Sequence, residues 1–299
     1  MAEARRQAGG FDGVAVAMGV GFALIWSSAF TSAKFALTEA PPLLFLGARF
    51  AAAGVGMVLV AWLMGQRLPR SARVWRLVAV FGLCQNALYL GLNFIGMTMV
   101  PAGLAAIIAS ALPLVVAALS RVFLAERLPW LGVAGLLAGF GGVVLIMAGR
   151  IAEGVAPLGI ALCVGGMLAL AVATLIVRGI STGEGLTMIV GLQMLVGAVA
   201  LAPLGLWFED VAAVRFSPQL AAAFAYIVLM PSIAATLVWF ALVNRIGATE
   251  ASAFHLLNPG FGVAIAALLL GEPLGTTDIA GVAIVTAAIA AVQVSRRKT

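Results

Sequence analysis

The feature that most constrains this chain is a succession of apolar stretches, each about 20 residues long and bounded by short charged or Pro/Gly-containing segments. Such a stretch matches an α-helix that crosses the hydrocarbon core of a bilayer. Only helices and closed barrels satisfy their main-chain polar groups in lipid, and these stretches lack the residue-by-residue alternation of a barrel strand. The sequence therefore predicts an all-α membrane protein.

Composition agrees with this class. Hydrophobic residues make up 64% of the chain, charged residues 9%, and the mean hydropathy is +1.17. Cys84 and Cys163 both fall inside apolar stretches, so we expect neither a disulfide nor a metal site. Ten transmembrane helices are predicted, at residues 13–34, 43–64, 74–96, 101–120, 130–149, 156–177, 187–207, 219–243, 249–270 and 276–294.

Lysine and arginine set the predicted orientation, because short cytoplasmic loops carry an excess of these residues. With the N-terminus in the cytoplasm, 13 of the 17 basic residues fall on that side. Both termini are therefore predicted to be cytoplasmic. The net charge of +6 follows from this bias and from attraction to anionic lipid, so the expected partner is the lipid bilayer and not a nucleic acid.

Two segments that lie 146 residues apart resemble each other. Pro113, Leu124, Glu126, Leu128, Gly135 and Arg150 recur as Pro259, Leu270, Glu272, Leu274, Gly281 and Arg296. Each repeat would contain five spans, an odd number, so the second must enter the membrane in the opposite orientation. The sequence predicts two inverted five-helix repeats, residues 1–150 and 151–299, that form one membrane domain.

Three groups of residues carry a resemblance to a known family. They are Trp26-Ser27-Ser28-Ala29-Phe30 with Lys34, Pro41-Pro42 followed by Arg49, and the blocks from Pro113 to Leu128 and from Pro259 to Leu274. The sequence resembles the drug/metabolite transporter (DMT) superfamily in its EamA-type branch, and within that branch the YddG-type aromatic amino acid exporters. The resemblance implies ten helices, alternating access and export of small metabolites.

Polar side chains at helical spacing predict the lining of a substrate cavity, since a polar group inside lipid usually faces a cavity or another helix. The third, eighth and ninth spans each carry such a stripe, and the stripes of the third and eighth, including Ser232 and Thr236, fall at equivalent positions of the two repeats. The predicted substrate-binding residues are Tyr89, Asn93, Trp239, Ser252, His255 and Asn258, with Gln85, Asn86, Trp26 and Lys34 as secondary members. Hydrogen bonding between helices is the alternative role for each of them.

Three residues have two interpretations each. His255, the single histidine, would couple transport to protons, or would stay neutral and hydrogen-bonded within the bundle. Lys34 would bind a substrate carboxylate or extend to the membrane surface. Arg49 would bind a carboxylate or, as we favour, pair with a carbonyl or carboxylate of the bundle.

The predicted function is facilitated export of aromatic and other hydrophobic amino acids across the cytoplasmic (inner) membrane by alternating access. The sequence has no nucleotide-binding loop and no acidic pair deep in a helix, so neither nucleotide-driven nor proton-driven transport is favoured. The alternative is a DMT exporter of another small metabolite, a drug or a sugar nucleotide, with or without proton coupling. We expect no enzyme, no cofactor and, because ten helices can enclose one pathway, a monomer.

Overall fold

The computed structural model describes residues 12–123, 129–177, 185–246, 251 and 253–297. All regular elements in these ranges are helical. They are α1 (Gly13–Leu37), α2 (Pro42–Leu63), α3 (Ala72–Met97), α4 (Ala102–Phe123), α5 (Trp130–Ala152), α6 (Pro157–Val177), α7 (Leu186–Phe208), α8 (Pro218–Ile246), α9 (Ala253–Leu257 and Asn258–Leu270) and α10 (Thr276–Arg297). Among the described residues, nine helices are long and apolar enough to cross a membrane, and α9 contains a shorter apolar helix. The predicted all-α membrane fold is confirmed.

Helix boundaries follow from local chemistry. Ser71 and Ser217 cap α3 and α8, and each hydroxyl accepts a hydrogen bond from a main-chain nitrogen of the first turn. Pro42 begins α2, where a missing N–H costs nothing. α9 ends at Gly271, whose φ of +66° lies in the left-handed region that glycine adopts without strain.

Two of the long helices change their hydrogen-bonding pattern near their middle. α3 contains a π-helical segment at Leu83–Tyr89, and α8 contains one at Val228–Ala234. Such segments are rare, and they occur frequently at functional sites. The bundle therefore departs from regular α-helix in two of the three helices that carry the predicted polar stripes.

Close packing through glycine joins α2 to α7 and α5 to α10, the two most extensive helix contacts among the described residues. A Cβ atom added to Gly191 of α7 would lie 2.8 Å from the main-chain nitrogen of Val58, and one added to Gly205 would lie 2.9 Å from that of Leu44. Residue numbers thus fall along α2 as they rise along α7, so the two helices are antiparallel. Gly135 against Ala288 and Gly149 against Thr277 give the same antiparallel geometry for α5 and α10.

A buried ion pair also joins α5 to α10. Arg150 Nη2 lies 2.6 Å and Nε 3.1 Å from the two carboxylate oxygens of Asp278, which is 2% exposed. Nη2 of Arg150 also donates to the carbonyl of Pro273, and Asp278 accepts from the main-chain nitrogen of Gly275. Both charged groups therefore have further hydrogen-bond partners besides each other, as a buried ion pair requires.

Candidate functional site: a two-chamber cavity

A cavity extends from one end of the bundle to its interior. Its wider part, the vestibule, has a volume of about 450 Å³ and reaches the end at which α3 and α7 begin, which we call the entrance end. Its inner part, the deep chamber, has a volume of about 250 Å³. Both parts are lined by Trp26, Phe81, Gln85, Met194, Thr236 and His255. Because these residues are shared, the two parts form one continuous path into the bundle.

The π-helical segment of α3 supplies three of the polar side chains that line the deep chamber. Gln85, Asn86 and Tyr89 lie in that segment, and Asn93 lies one turn beyond it. Asn86 is fixed by a 2.8 Å hydrogen bond from Nδ2 to the carbonyl of Gln193 on α7. All four side chains line the deep chamber, so the stripe noted in the sequence faces one space.

The π-helical segment of α8 follows from Pro231. Proline has no N–H, so the carbonyl of Ile227, four residues earlier, loses its helical partner. The hydroxyl of Ser232 replaces it with a 2.9 Å hydrogen bond to that carbonyl. Thr236 in turn donates to the carbonyl of Ser232 at 2.8 Å. Ser232 and Thr236 therefore line the deep chamber with their hydroxyls engaged on α8 itself.

Arg49 of α2 lies on the other side of the same hydroxyl. Its Nε and Nη2 atoms both donate to Ser232 Oγ at 3.3 Å, and the residue is 7% exposed. Its guanidinium carbon lies 5.1 Å from the ring centre of Phe50 and 5.9 Å from that of Phe94, within the range of cation–π attraction. Arg49 bonds a hydroxyl, where the sequence favoured a carbonyl or carboxylate partner.

Several polar atoms of the cavity have no partner among the described residues. Asn93 is fully buried, and neither its amide nitrogen nor its amide oxygen makes a hydrogen bond. The hydroxyl of Tyr89 and the amide of Gln85 also make none to the described residues, although both side chains line the deep chamber. Leaving buried polar groups unpaired costs free energy, so these atoms are available to a polar ligand.

Aromatic rings surround His255 where the two chambers meet. Ring centres of Trp239, Phe22 and Trp26 lie 5.1, 5.3 and 6.3 Å from that of the imidazole. Asn258 Nδ2 lies 2.9 Å from Nδ1 of His255. Since an amide nitrogen only donates, Nδ1 accepts in this arrangement and Nε2 carries the proton of the neutral ring. This cluster offers flat apolar surfaces beside polar groups.

The predicted site residues divide into five sets. Trp26, Gln85, Asn86, Tyr89, Asn93 and His255 line the deep chamber, and Trp239 lines the vestibule. Asn258 lies next to the cavity as the hydrogen-bond partner of His255. Lys34 lies away from both linings, and Ser252 lies outside the described residues.

Lys34 instead bonds the connection between α3 and α4. This connection lies at the end of the bundle where α3 ends and α4 begins, which we call the closed end. Its ammonium donates to the carbonyl of Met97 and, at 2.8 Å, to that of Val100. At the same connection, the carboxylate of Glu272 accepts from the main-chain nitrogens of Ala102 and Gly103 at 2.6 and 2.9 Å. A cation near the C-terminus of α3 and an anion on the first N–H groups of α4 both match the helix dipoles.

At the entrance end, an exposed ion pair connects α8 to the residue that precedes α1. Arg245 of α8 donates to both carboxylate oxygens of Asp12, at 2.8 and 3.2 Å, and Asp12 also accepts from the main-chain nitrogen of Ala15 in the first turn of α1. The hydrogen bonds from Arg245 and then from Ala15 lower the pKa of the Asp12 carboxyl below its ordinary value.

Sequence reasoning left several lining residues out of the predicted site. Arg49 was assigned a structural role, although a basic residue in the middle of an apolar span was itself a signal. Phe81, Phe94, Leu170 and Met194 also line the cavity, but no pattern distinguishes them from the other apolar residues around them. Among the described residues, no group of three or more His, Cys, Asp or Glu could hold a metal ion.

The fold and the cavity define the class of protein. It is a multi-pass helical membrane protein with a chamber inside the bundle that is lined by polar and aromatic residues. The EamA-like transporter family model matches the chain twice, at residues 13–148 and 157–293. The chain therefore belongs to the EamA-like transporter family, and the resemblance to the DMT superfamily is confirmed. The finer resemblance to YddG-type exporters stays a prediction.

Individual relatives agree with this family. The uncharacterized transporter YvbV of Bacillus subtilis (strain 168) is 28% identical over 266 residues, which cover 89% of this chain and 87% of YvbV. The uncharacterized inner membrane transporter YedA of Escherichia coli (strain K12) is 27% identical over 263 residues, with 84% and 80% covered. One solved crystal structure shares the fold with a TM-score of 0.69 at 20% identity, over 95% of this chain and 98% of that one. The family indicates a transporter rather than an enzyme.

Proposed function

We propose that this protein exports amino acids, aromatic and other hydrophobic ones included, across the cytoplasmic membrane by facilitated alternating access. The observation that carries the proposal is the junction of the two chambers, where aromatic rings surround His255 next to unpartnered polar atoms. An amino acid has an apolar side chain that suits the rings and a polar end that suits the free amides.

The proposal includes the inverted-repeat arrangement. The family model matches once in each half of the chain, and the two π-helical segments lie in the third helix of each half. α2 and α7 would be equivalent helices, as would α5 and α10, and each pair packs antiparallel. A twofold axis in the membrane plane relates equivalent helices in this manner.

We also assign the entrance end to the cytoplasm. α3 begins there, directly after Arg67 and Arg70 and with Arg73 in its first turn, and positive loops stay cytoplasmic. The cavity would then face inward and be closed on the outer side by Lys34 and Glu272. One chain encloses this path, which supports a monomer as the working unit.

The test is uptake of labelled phenylalanine, tryptophan and threonine by liposomes that contain the purified protein, with and without a pH gradient. Trp239→Ala removes a ring from the junction, and Trp207→Ala is the matched control because Trp207 is 83% exposed at a helix end. We expect saturable uptake that is independent of the gradient, reduced in Trp239→Ala and retained in Trp207→Ala. No uptake above empty liposomes would overturn the amino acid assignment in favour of another metabolite, a drug or a sugar nucleotide.

A further inference from the structure

Arg49 is a cation held in the interior with most of its hydrogen-bonding capacity unused. A guanidinium has five N–H groups, and those engaged here, on Nε and Nη2, both point to the single oxygen of Ser232. Nη1 has no acceptor among the described residues. Since Arg49 lines the deep chamber, its free N–H groups are accessible from that space.

No acidic side chain lines either chamber in the described part of the chain. The positive charge of Arg49 is therefore not neutralised where it lies, although an unpaired charge in a membrane interior is costly. The buried Arg150, in contrast, forms two hydrogen bonds to the carboxylate of Asp278. A bound anion would give Arg49 the kind of partner that Arg150 already has.

The surroundings of Arg49 fit one anion in particular. A carboxylate has two oxygens in one plane, which match the planar fork of a guanidinium. The rings of Phe50 and Phe94 flank the guanidinium and limit its rotation. The hydroxyl of Tyr89 and the amide of Asn93 provide further donors in the same chamber, both unpartnered.

We infer that Arg49 binds the carboxylate of the substrate in the deep chamber, while the apolar body of the substrate extends toward the aromatic rings around His255. The inference rests on the proposed function and narrows its substrate class to carboxylates with an aromatic or other apolar body. An ammonium group is not required, because the described lining supplies no carboxylate for it.

The experiment separates the two charged groups of phenylalanine. Binding of labelled 3-phenylpropionate, which lacks the ammonium, and of labelled 2-phenylethylamine, which lacks the carboxylate, is measured on the purified full-length protein by equilibrium dialysis. Uptake of labelled phenylalanine into liposomes is measured in parallel, with each compound as competitor. The variants are Arg49→Gln, Arg49→Lys and, as a control for loss of an arginine, Arg245→Gln at the exposed contact with Asp12.

We expect 3-phenylpropionate to bind and to compete, and 2-phenylethylamine to do neither. Arg49→Gln should weaken binding of 3-phenylpropionate by about tenfold to a hundredfold, the range expected for loss of a charge-assisted hydrogen bond. Arg49→Lys should restore part of it, since lysine keeps the charge without the fork. The Arg245→Gln variant should bind 3-phenylpropionate as tightly as the unaltered protein does.

Three results would overturn the inference: no binding of 3-phenylpropionate, equal binding of the amine, or undiminished binding of 3-phenylpropionate by folded Arg49→Gln. If Arg49→Gln does not fold, Arg49→Lys tests the same position, and binding of 3-phenylpropionate as tight as in the unaltered protein would contradict the inferred role of the guanidinium fork. Phenylalanine uptake with competition by the amine alone would leave the proposed function standing and remove the role of Arg49. Binding of 3-phenylpropionate without phenylalanine uptake would support the role of Arg49 and overturn the proposed function.

Discussion

Glu272 holds the first turn of α4 through Gly103, whose main-chain nitrogen donates to Oε2 of that carboxylate at 2.9 Å. Glu209 holds the first turn of α2 by the same means, accepting from the main-chain nitrogens of Leu43 and Leu44. A carboxylate supplied by another segment thus replaces the usual N-cap side chain in both helices. These contacts connect the first turns of α4 and α2 to other segments at the closed end.

Replacing Glu272 by alanine should destabilise the protein by about 1–2 kcal/mol, since two N–H groups at a helix N-terminus lose their acceptor. The midpoint of thermal unfolding in detergent measures this. Glu153→Ala is the matched control, because that carboxylate is 53% exposed and, among the described residues, bonds only Arg150, three residues earlier in the same helix. Equal losses in the two variants would contradict the capping role of Glu272.

Lys34→Met should lower the unfolding temperature, because the carbonyls of Met97 and Val100 lose a charged donor. We expect the KM for phenylalanine to change less in this variant than in Asn93→Ala, which alters the deep chamber itself. Liposome uptake at varied substrate concentration gives both values. A larger rise in KM for Lys34→Met would return Lys34 to the substrate site that the sequence predicted.

Asp278→Ala should destabilise the protein by about 3–5 kcal/mol, because the buried Arg150 would lose its buried carboxylate and keep only the half-exposed one of Glu153. Replacing both residues with Arg150→Met and Asp278→Leu should recover much of that loss, since no charge is then left unpaired. Chemical or thermal unfolding in detergent gives the comparison. A double variant less stable than Asp278→Ala would mean that the pair stabilises through geometry that apolar side chains do not reproduce.

Gly191→Ala should destabilise the contact between α2 and α7 by roughly 1–3 kcal/mol, because the new methyl group meets the backbone of Val58, which cannot move aside by rotamer change. Gly141→Ala is the control, since a Cβ at that position would have no atom within 4 Å beyond its chain neighbours and the backbone of its own helix. The control should be neutral or slightly stabilising, because alanine favours a helix over glycine. Similar unfolding temperatures for the two variants would rule out close α2–α7 packing.

The fold was largely predictable because span length and hydrophobicity are local properties of the sequence. Nine of the ten predicted spans match helices long enough to cross a membrane, the ninth overlaps the shorter α9, and the stripe from Gln85 to Asn93 lines a cavity. The role of Lys34 was not predictable, since it depends on which carbonyls a distant corner brings near. The role of Arg49 was not predictable because it depends on the neighbours of the guanidinium in the folded bundle. Among the described residues these are a hydroxyl and two aromatic rings, with no carboxylate.

The antiparallel contacts of α2 with α7 and of α5 with α10 have a consequence for dissecting the chain. Each half supplies one helix to each of these contacts, so a cut between α5 and α6 would expose the glycine faces of α2 and α5 in one fragment and those of α7 and α10 in the other. Neither fragment can bury those faces alone. The fragments should accumulate and co-purify when they are produced together in one cell, and each should be degraded when it is produced separately.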